Sequence, residues 1–196
     1  TGKGGVGKTT VSCALAVAAA RSGRRALVVE VGTQERVPEL FGSKKRSGYK
    51  GAKLYTARGT SGSVHSVCLE PRDALREFVI RQIKLGAIYK AVFENRVMRY
   101  FTAAAPGLSD LVVLGKIIDL AEEVQRGGKP KWDLVIFDAP ATGHGLAFFR
   151  VPKVVMRMVQ VGPLKKKVEH LSHFLTDAER TILHIVTTPE EMPVNE

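Results

Sequence analysis

Cysteine is scarce. The 196-residue chain has two, Cys13 and Cys68, far apart in sequence. With no Cys-x-x-Cys pair, this stretch offers neither a disulfide framework nor a zinc or iron–sulfur site, and both thiols read as small buried side chains. Aromatic residues make up 7% with a single Trp, so no rings are interleaved with the basic residues as a base-stacking platform. No apolar run approaches the ~18 residues that span a bilayer. The nearest, Val11 to Ala20, is alanine-rich, interrupted by Ser12 and reads as a buried helix. A basic segment ahead of an apolar one, the mark of a secretory signal, is also lacking. These absences point to a cytoplasmic location. Acidic residues are in deficit too, 19 against 30 Lys plus Arg, for a net charge of +11. That balance suits nucleic acid, anionic lipid or acidic partners. Yet the basic residues are scattered and cluster only at Lys44-Lys45-Arg46 and Lys165-Lys166-Lys167. Solvated faces are the simpler reading, and nucleic acid is disfavoured.

What is present is ordinary globular material, 44% hydrophobic and 25% charged, at a length that suits one domain. Val11, Leu15 and Ala18 recur at helical spacing behind a glycine-rich start, and Gly23 is placed to end that helix. Ala26 to Val31 is a near-continuous apolar run, as in a strand buried on both faces. Residues 42–62 read as a surface loop with a short strand at Lys53 to Ala57, and His65 to Leu69 as another strand. From Asp73 to about Ala104 the pattern is helical, with Leu75, Phe78, Val79 and Ile83 among its apolar positions, until Pro106-Gly107. A second amphipathic helix uses Leu108, Leu111, Val112, Ile118, Ala121 and Val124. Leu134 to Phe137 is a short strand ending in Asp138, and Thr181 to Val186 is the last predicted strand. Strands alternating with helices predict an α/β fold, a doubly wound, mainly parallel sheet flanked by helices. We expect a single P-loop domain over 1–196 with a helical subregion at about 73–126, its first strand and closing elements missing from this stretch.

The P-loop expectation rests on Gly2 to Thr9, which fits G-x-x-x-x-G-K-[ST] without mismatch. Gly2, Gly4, Gly5 and Gly7, with Lys3 and Val6 between them, let successive backbone N–H groups curl around phosphates, and the following helix adds its positive end. Lys8 is placed to reach the β- and γ-phosphates, the Thr9 hydroxyl to ligate Mg²⁺, and Thr10 to contact the α-phosphate. The second part expected is an acid at the end of an apolar strand, for Mg²⁺ and its waters. Asp138 meets that description, and Pro140-Ala141-Thr142-Gly143-His144-Gly145 follows where a loop sensing the γ-phosphate would sit.

Lys3 within Gly2-Lys3-Gly4-Gly5-Val6-Gly7-Lys8-Thr9 is the extra lysine of the deviant Walker A group of P-loop ATPases. Phe137-Asp138-Ala139-Pro140-Ala141-Thr142-Gly143-His144 is similar to the F-D-T-A-P-T-G-H switch of one branch, the arsenite-transporting and tail-anchored-protein targeting ATPases. Pro106-Gly107 ahead of a helix and Thr188 to Glu196 resemble the same branch. The resemblance spans nearly the whole chain. It implies an ATP-binding, Mg²⁺-dependent ATPase whose nucleotide state opens and closes a dimer, homomeric or with a related subunit, to bind and release a hydrophobic protein client or a membrane partner. It also implies that Lys3 reaches across to the partner's nucleotide, and that the contacts to adenine lie beyond Glu196.

Departures from that branch matter as much. Its second strand ends S-T-D-P, where the Asp positions the attacking water; aligned back from Phe41-Gly42, that position is Gly32. Glu30 lies on the same strand face, set back by about 7 Å at strand rise, and is the acid nearest to replacing it. Catalysis is therefore expected from Lys3, Lys8 and Glu30, with slow hydrolysis or a non-hydrolysing heterodimer subunit as the alternative. An arsenite pump subunit is disfavoured because soft As(III) wants clustered thiolates. A DNA-partitioning ATPase is disfavoured by the Thr142-Gly143-His144 switch. Phe148, Phe149, Val151, Val154, Val155, Met158 and Val159, with Arg150, Lys153 and Arg157 interleaved, form either a core helix or an apolar face for a client helix or anionic lipid. His170 and His173 share an H-x-x-H spacing without a third ligand, a polar helix face and not a metal site.

Overall fold

The glycine-rich start runs straight into α1 (Lys8–Arg21), which ends at Ser22-Gly23 and turns into β1 (Arg25–Val31). The computed structural model describes residues 2–82, 108–141 and 163–189, together with positions 150, 152 and 156. After a short α2 (Val37–Leu40), β2 (Ala52–Thr56) and β3 (Ser63–Leu69) form a hairpin. Then come α3 (Pro71–Gln82), α4 (Leu108–Ala121), β4 (Leu134–Phe137) and α5 (Pro163–Thr176). The four strands are ordered β2-β3-β1-β4. β1 pairs in parallel with both β3 and β4, while edge strand β2 is antiparallel to β3. The mainly parallel sheet with flanking helices is thus present, with β1 at its centre.

The pleat of β1 sends alternate residues to two cores. Leu27 and Val29 join Val67 and Leu69 of β3, the α4 residues Leu111, Val113, Leu114, Ile117 and Ile118, and Val168 and Leu171 of α5. Ala26 and Val28 join Val64 and the α1 residues Cys13, Ala16 and Ala20 on the opposite face. The residues of α1 turned inward are not the three that recur at helical spacing. Val11 and Leu15 are 38% and 40% exposed, Ala18 is exposed, and Ser12, Cys13, Ala16 and Ala20 are buried. Small side chains at this spacing let the helix lie close on the sheet. At Gly62, before β3, a β-carbon would overlap the carbonyl of Ala20. Close approach outweighs side-chain size on this face.

The helix expected from Asp73 is described as far as Gln82, and the rest of that span, with Pro106-Gly107, lies outside the described residues. Of the second helix, Leu111, Val112 and Ile118 are buried as expected. Val124 is not: it follows the helix, is 61% exposed and bridges to Pro130. The strand expected at Thr181 to Val186 is not formed among the described residues. The segment carries no ladder, and Ile182 and Ile185 are 75% and 72% exposed. An apolar β-branched run has strand propensity, but among the described residues no strand pairs with it. Both cysteines are free and buried, as expected.

Candidate nucleotide site

The loop of residues 2–7 lies at the carboxyl ends of β1 and β4 and opens α1. Gly7 is the N-cap residue at φ 88°, a left-handed conformation that a side chain would strain. It turns the chain so that the first backbone N–H groups of α1, which have no partner within the helix, face the loop. The ammonium of Lys8 folds back and donates to the carbonyl oxygen of Lys3 at 2.6 Å. Gly2 lies so close to the Val186 carbonyl that a β-carbon would overlap it, which puts the 181–188 segment beside the start of the loop.

Asp138 follows β4 directly, its backbone N–H donating to the carbonyl of Val29 at 2.9 Å. Its carboxylate accepts from the Thr9 hydroxyl at 2.6 Å through Oδ2 and from the Ser12 hydroxyl at 3.1 Å through Oδ1. The two halves of the expected site, 129 residues apart in sequence, are therefore in contact. Ser12 was not foreseen. The available signal was its position one helical turn after Thr9, on the face that a helix starting at Lys8 must present to Asp138. Thr10 and the glycines at 4 and 5 are exposed on the open side of the loop.

Glu30 is the lone acid in the buried run of β1 and is 6% exposed. Its Oε1 accepts from the backbone N–H groups of Arg36 at 2.7 Å and Val37 at 3.1 Å, holding the turn into α2. Its Oε2 is buried with no hydrogen-bond partner. Burial raises the pKa of this carboxyl above its usual value; the two backbone donors pull it down, and the charges of Asp138 and Glu35 push it up again. Gly32, two residues on, has φ 129° and carries no side chain toward the site. Glu35, also unforeseen, is buried and accepts from the Arg46 guanidinium at 3.0 Å and the backbone N–H groups of Ser47 and Gly48, tying down the loop before β2. Cys13 faces the same region, its thiol pushed up to about 12 by burial first and then by Asp138 and Glu30.

Pro140 and Ala141 continue from Asp138, and Thr142-Gly143-His144-Gly145 lie outside the described residues. So do Phe148, Phe149, Val151, Val154, Val155, Met158 and Val159 of the expected apolar face, and residues 190–196. His170 pairs with Glu122 at 2.9 Å, and no cluster of three metal-ligating side chains exists among the described residues. No described helix is long and apolar enough to cross a membrane.

A glycine loop that opens a helix, beside a parallel strand whose terminal acid meets the loop's threonine, defines the P-loop nucleotide-binding fold. The sequence profile described as Anion-transporting ATPase matches residues 1–172, and the chain belongs to that family of ATPases. It is 32% identical to "ATPase BagA" of Mycobacterium tuberculosis over 196 residues, all of this chain and 57% of that protein. It is 25% identical to "ATPase GET3" of Kluyveromyces lactis over 167 residues, 81% of this chain and 46% of that protein. The "Arsenical pump-driving ATPase" of Escherichia coli is 25% identical over 212 residues, 100% of this chain and 34% of that protein. The chain spans roughly a third to somewhat over half the length of these relatives.

Proposed function

We propose that residues 1–196 form a P-loop ATPase domain that binds ATP with Mg²⁺ and hydrolyses it slowly, its nucleotide state governing a dimer that takes up and releases an apolar protein client or docks on a membrane. The observation that carries the nucleotide reading is the 2.6 Å hydrogen bond from Thr9 to Asp138, which joins loop and strand-end acid. Gly2, Lys3, Gly4, Gly5, Val6 and Gly7 form the cradle, Lys8 supplies its charge, and Thr9 and Thr10 supply hydroxyls. Thr9 Oγ1 and the Asp138 carboxylate are hard oxygen donors already brought together, the donor type that suits Mg²⁺. Held by these oxygens, the ion would supply positive charge against that developing on the transferring phosphoryl group. Asp138, itself held by the Ser12 hydroxyl, holds the Thr9 hydroxyl in place, and Lys8 exchanges the Lys3 carbonyl for phosphate oxygen.

Slow turnover follows from the surroundings of Gly32 and Glu30. Gly32 has no group with which to orient a water. Glu30 has one oxygen committed to Arg36 and Val37, which leaves Oε2 as the atom available for a catalytic part. The same feature supports a second reading, a nucleotide-binding subunit that depends on a related partner for hydrolysis. Lys3 is assigned to the partner's nucleotide on the strength of family membership. Calorimetry with ATP and Mg²⁺ tests the binding reading, and absence of any affinity in folded protein would remove it. Single-turnover hydrolysis, alone and with a related ATPase added, separates the two readings. A Lys3→Ala variant with unchanged turnover, under conditions where rate depends on protein concentration, would end the cross-subunit role.

A further inference from the structure

At the opposite end of β1 from the phosphate loop, a cleft of about 670 Å³ opens on the α4 side of the sheet. Its floor includes a lateral row of residues in register, Lys53 of β2, His65 of β3 and Leu27 of β1. The walls come from Tyr49 and Lys50 ahead of β2, from α4, and from Lys131 and Trp132 ahead of β4. Five basic and three acidic residues line it. The acids are already neutralised: Asp119 by Arg81 at 3.0 Å, Glu123 by Lys131 at 2.9 Å, and Glu122 by Arg180 at 2.8 Å. Lys50 and Lys53 make no ion pair with any described residue, so the uncompensated charge is positive. The His65 imidazole registers that field. Its pKa is lowered, first by burial and then by Lys53, Lys131 and Arg25.

Two further features define what would fill the space. His65 and Trp132 meet edge to face, ring centroids 4.9 Å apart, and each carries a buried ring nitrogen with no hydrogen-bond partner, Nδ1 and Nε1. Those two nitrogens are closed to solvent, so what the pair offers the cleft is ring surface. The volume falls in the range of small-molecule sites and far exceeds that of a bare inorganic anion. Leu27, Val67 and Leu120 give it apolar surface.

We propose that this cleft is a second ligand site, separate from the phosphate loop, that takes a small aromatic anion: a planar ring on the apolar floor beside Trp132 and His65, with a carboxylate or phosphate held by Lys50 and Lys53. The proposal does not depend on the nucleotide reading. Trp132 is the sole tryptophan of the chain and sits in the cleft wall, so its emission reports on this site alone. The experiment titrates phenyl phosphate and benzoate into the protein with its phosphate loop saturated by ADP and Mg²⁺, and in parallel into the Lys8→Ala variant, with inorganic phosphate and phenol as controls. The expected result is a saturable change in Trp132 emission with one or both aromatic anions, weakened about tenfold or more in a Lys50→Ala/Lys53→Ala variant, as for loss of two charge contacts. Benzoate against phenyl phosphate tells carboxylate from phosphate. Both lysines are exposed, so the double variant is expected to fold, and its circular dichroism and melting temperature check this. No saturable change, a response indifferent to the lysine substitutions, equal binding of inorganic phosphate or phenol, or loss of the response in ADP or in Lys8→Ala would each overturn the proposal.

Discussion

The two ends of β1 are built from different materials. At its carboxyl end the phosphate loop uses backbone amides, glycines and short hydroxyl side chains, fixed by the 2.6 Å contact of Thr9 with Asp138. At its amino end the cleft is walled by long ammonium side chains and aromatic rings: Lys131 lies 5.1 Å from the centroid of the Trp132 ring, which itself abuts His65. The first end is assembled mostly from one contiguous stretch of chain, whose geometry is set by a helix start. The second is assembled from side chains of five separate elements and is inseparable from packing. Damage to the first should therefore be felt by a ligand, and loss of the aromatic wall of the second by the fold.

Lys8→Ala is the sharpest way to test that division. It should cost about a hundredfold in ATP affinity by calorimetry, roughly 2.7 kcal/mol, and leave the melting temperature nearly unchanged. Trp132→Ala should do the reverse, lowering stability by about 2 kcal/mol in urea titration through lost contact with His65 and Lys131 while nucleotide affinity holds. A large nucleotide effect of Trp132→Ala would break the comparison. Asp138→Asn is expected to remove most of the Mg²⁺-dependent gain in affinity, about tenfold, and to leave binding of metal-free ADP intact. Glu30→Gln probes the carboxyl end through pH. Because the folded pKa of Glu30 lies above the usual 4.5, its favourable share of stability is complete below that value and is lost as pH rises through the folded pKa. The Gln variant should melt higher than the parent at pH 8, and the gap should close on acidification toward about pH 4. The smallest effect concerns Cys13 and Cys68, both pushed up to about 12 chiefly by burial. Iodoacetamide at pH 8 should spare both in native protein and alkylate both after unfolding.

The same division governs what the amino-acid sequence made legible. The phosphate loop is contiguous, and its spacing carries its own mechanism, so Gly2 to Thr10 could be read directly. Asp138 was legible because an apolar run ends in it, and β1 because four consecutive buried apolar residues, Ala26 to Val29, leave a continuous signal. Ser12 and Glu35 were not. One acts through helix phase and the other through a loop fold, and neither is encoded at fixed spacing. The inward face of α1 was not legible because close approach favours Ala and Ser, while periodicity arguments weight large side chains. The strand expected at Thr181 to Val186 shows that propensity does not supply a pairing partner. The His65–Trp132 pair joins residues far apart in sequence, and only the parallel register of β3, β1 and β4 brings them together.

The contact between the Lys8 ammonium and the Lys3 carbonyl has a consequence for how occupancy is announced. An ammonium has three protons to give, and here one is directed at the backbone of the very residue that marks this loop as deviant. A phosphate that drew Lys8 toward itself would withdraw that proton from the Lys3 carbonyl. Ligand arrival at Lys8 would then be felt one hydrogen bond away at Lys3, inside the same loop.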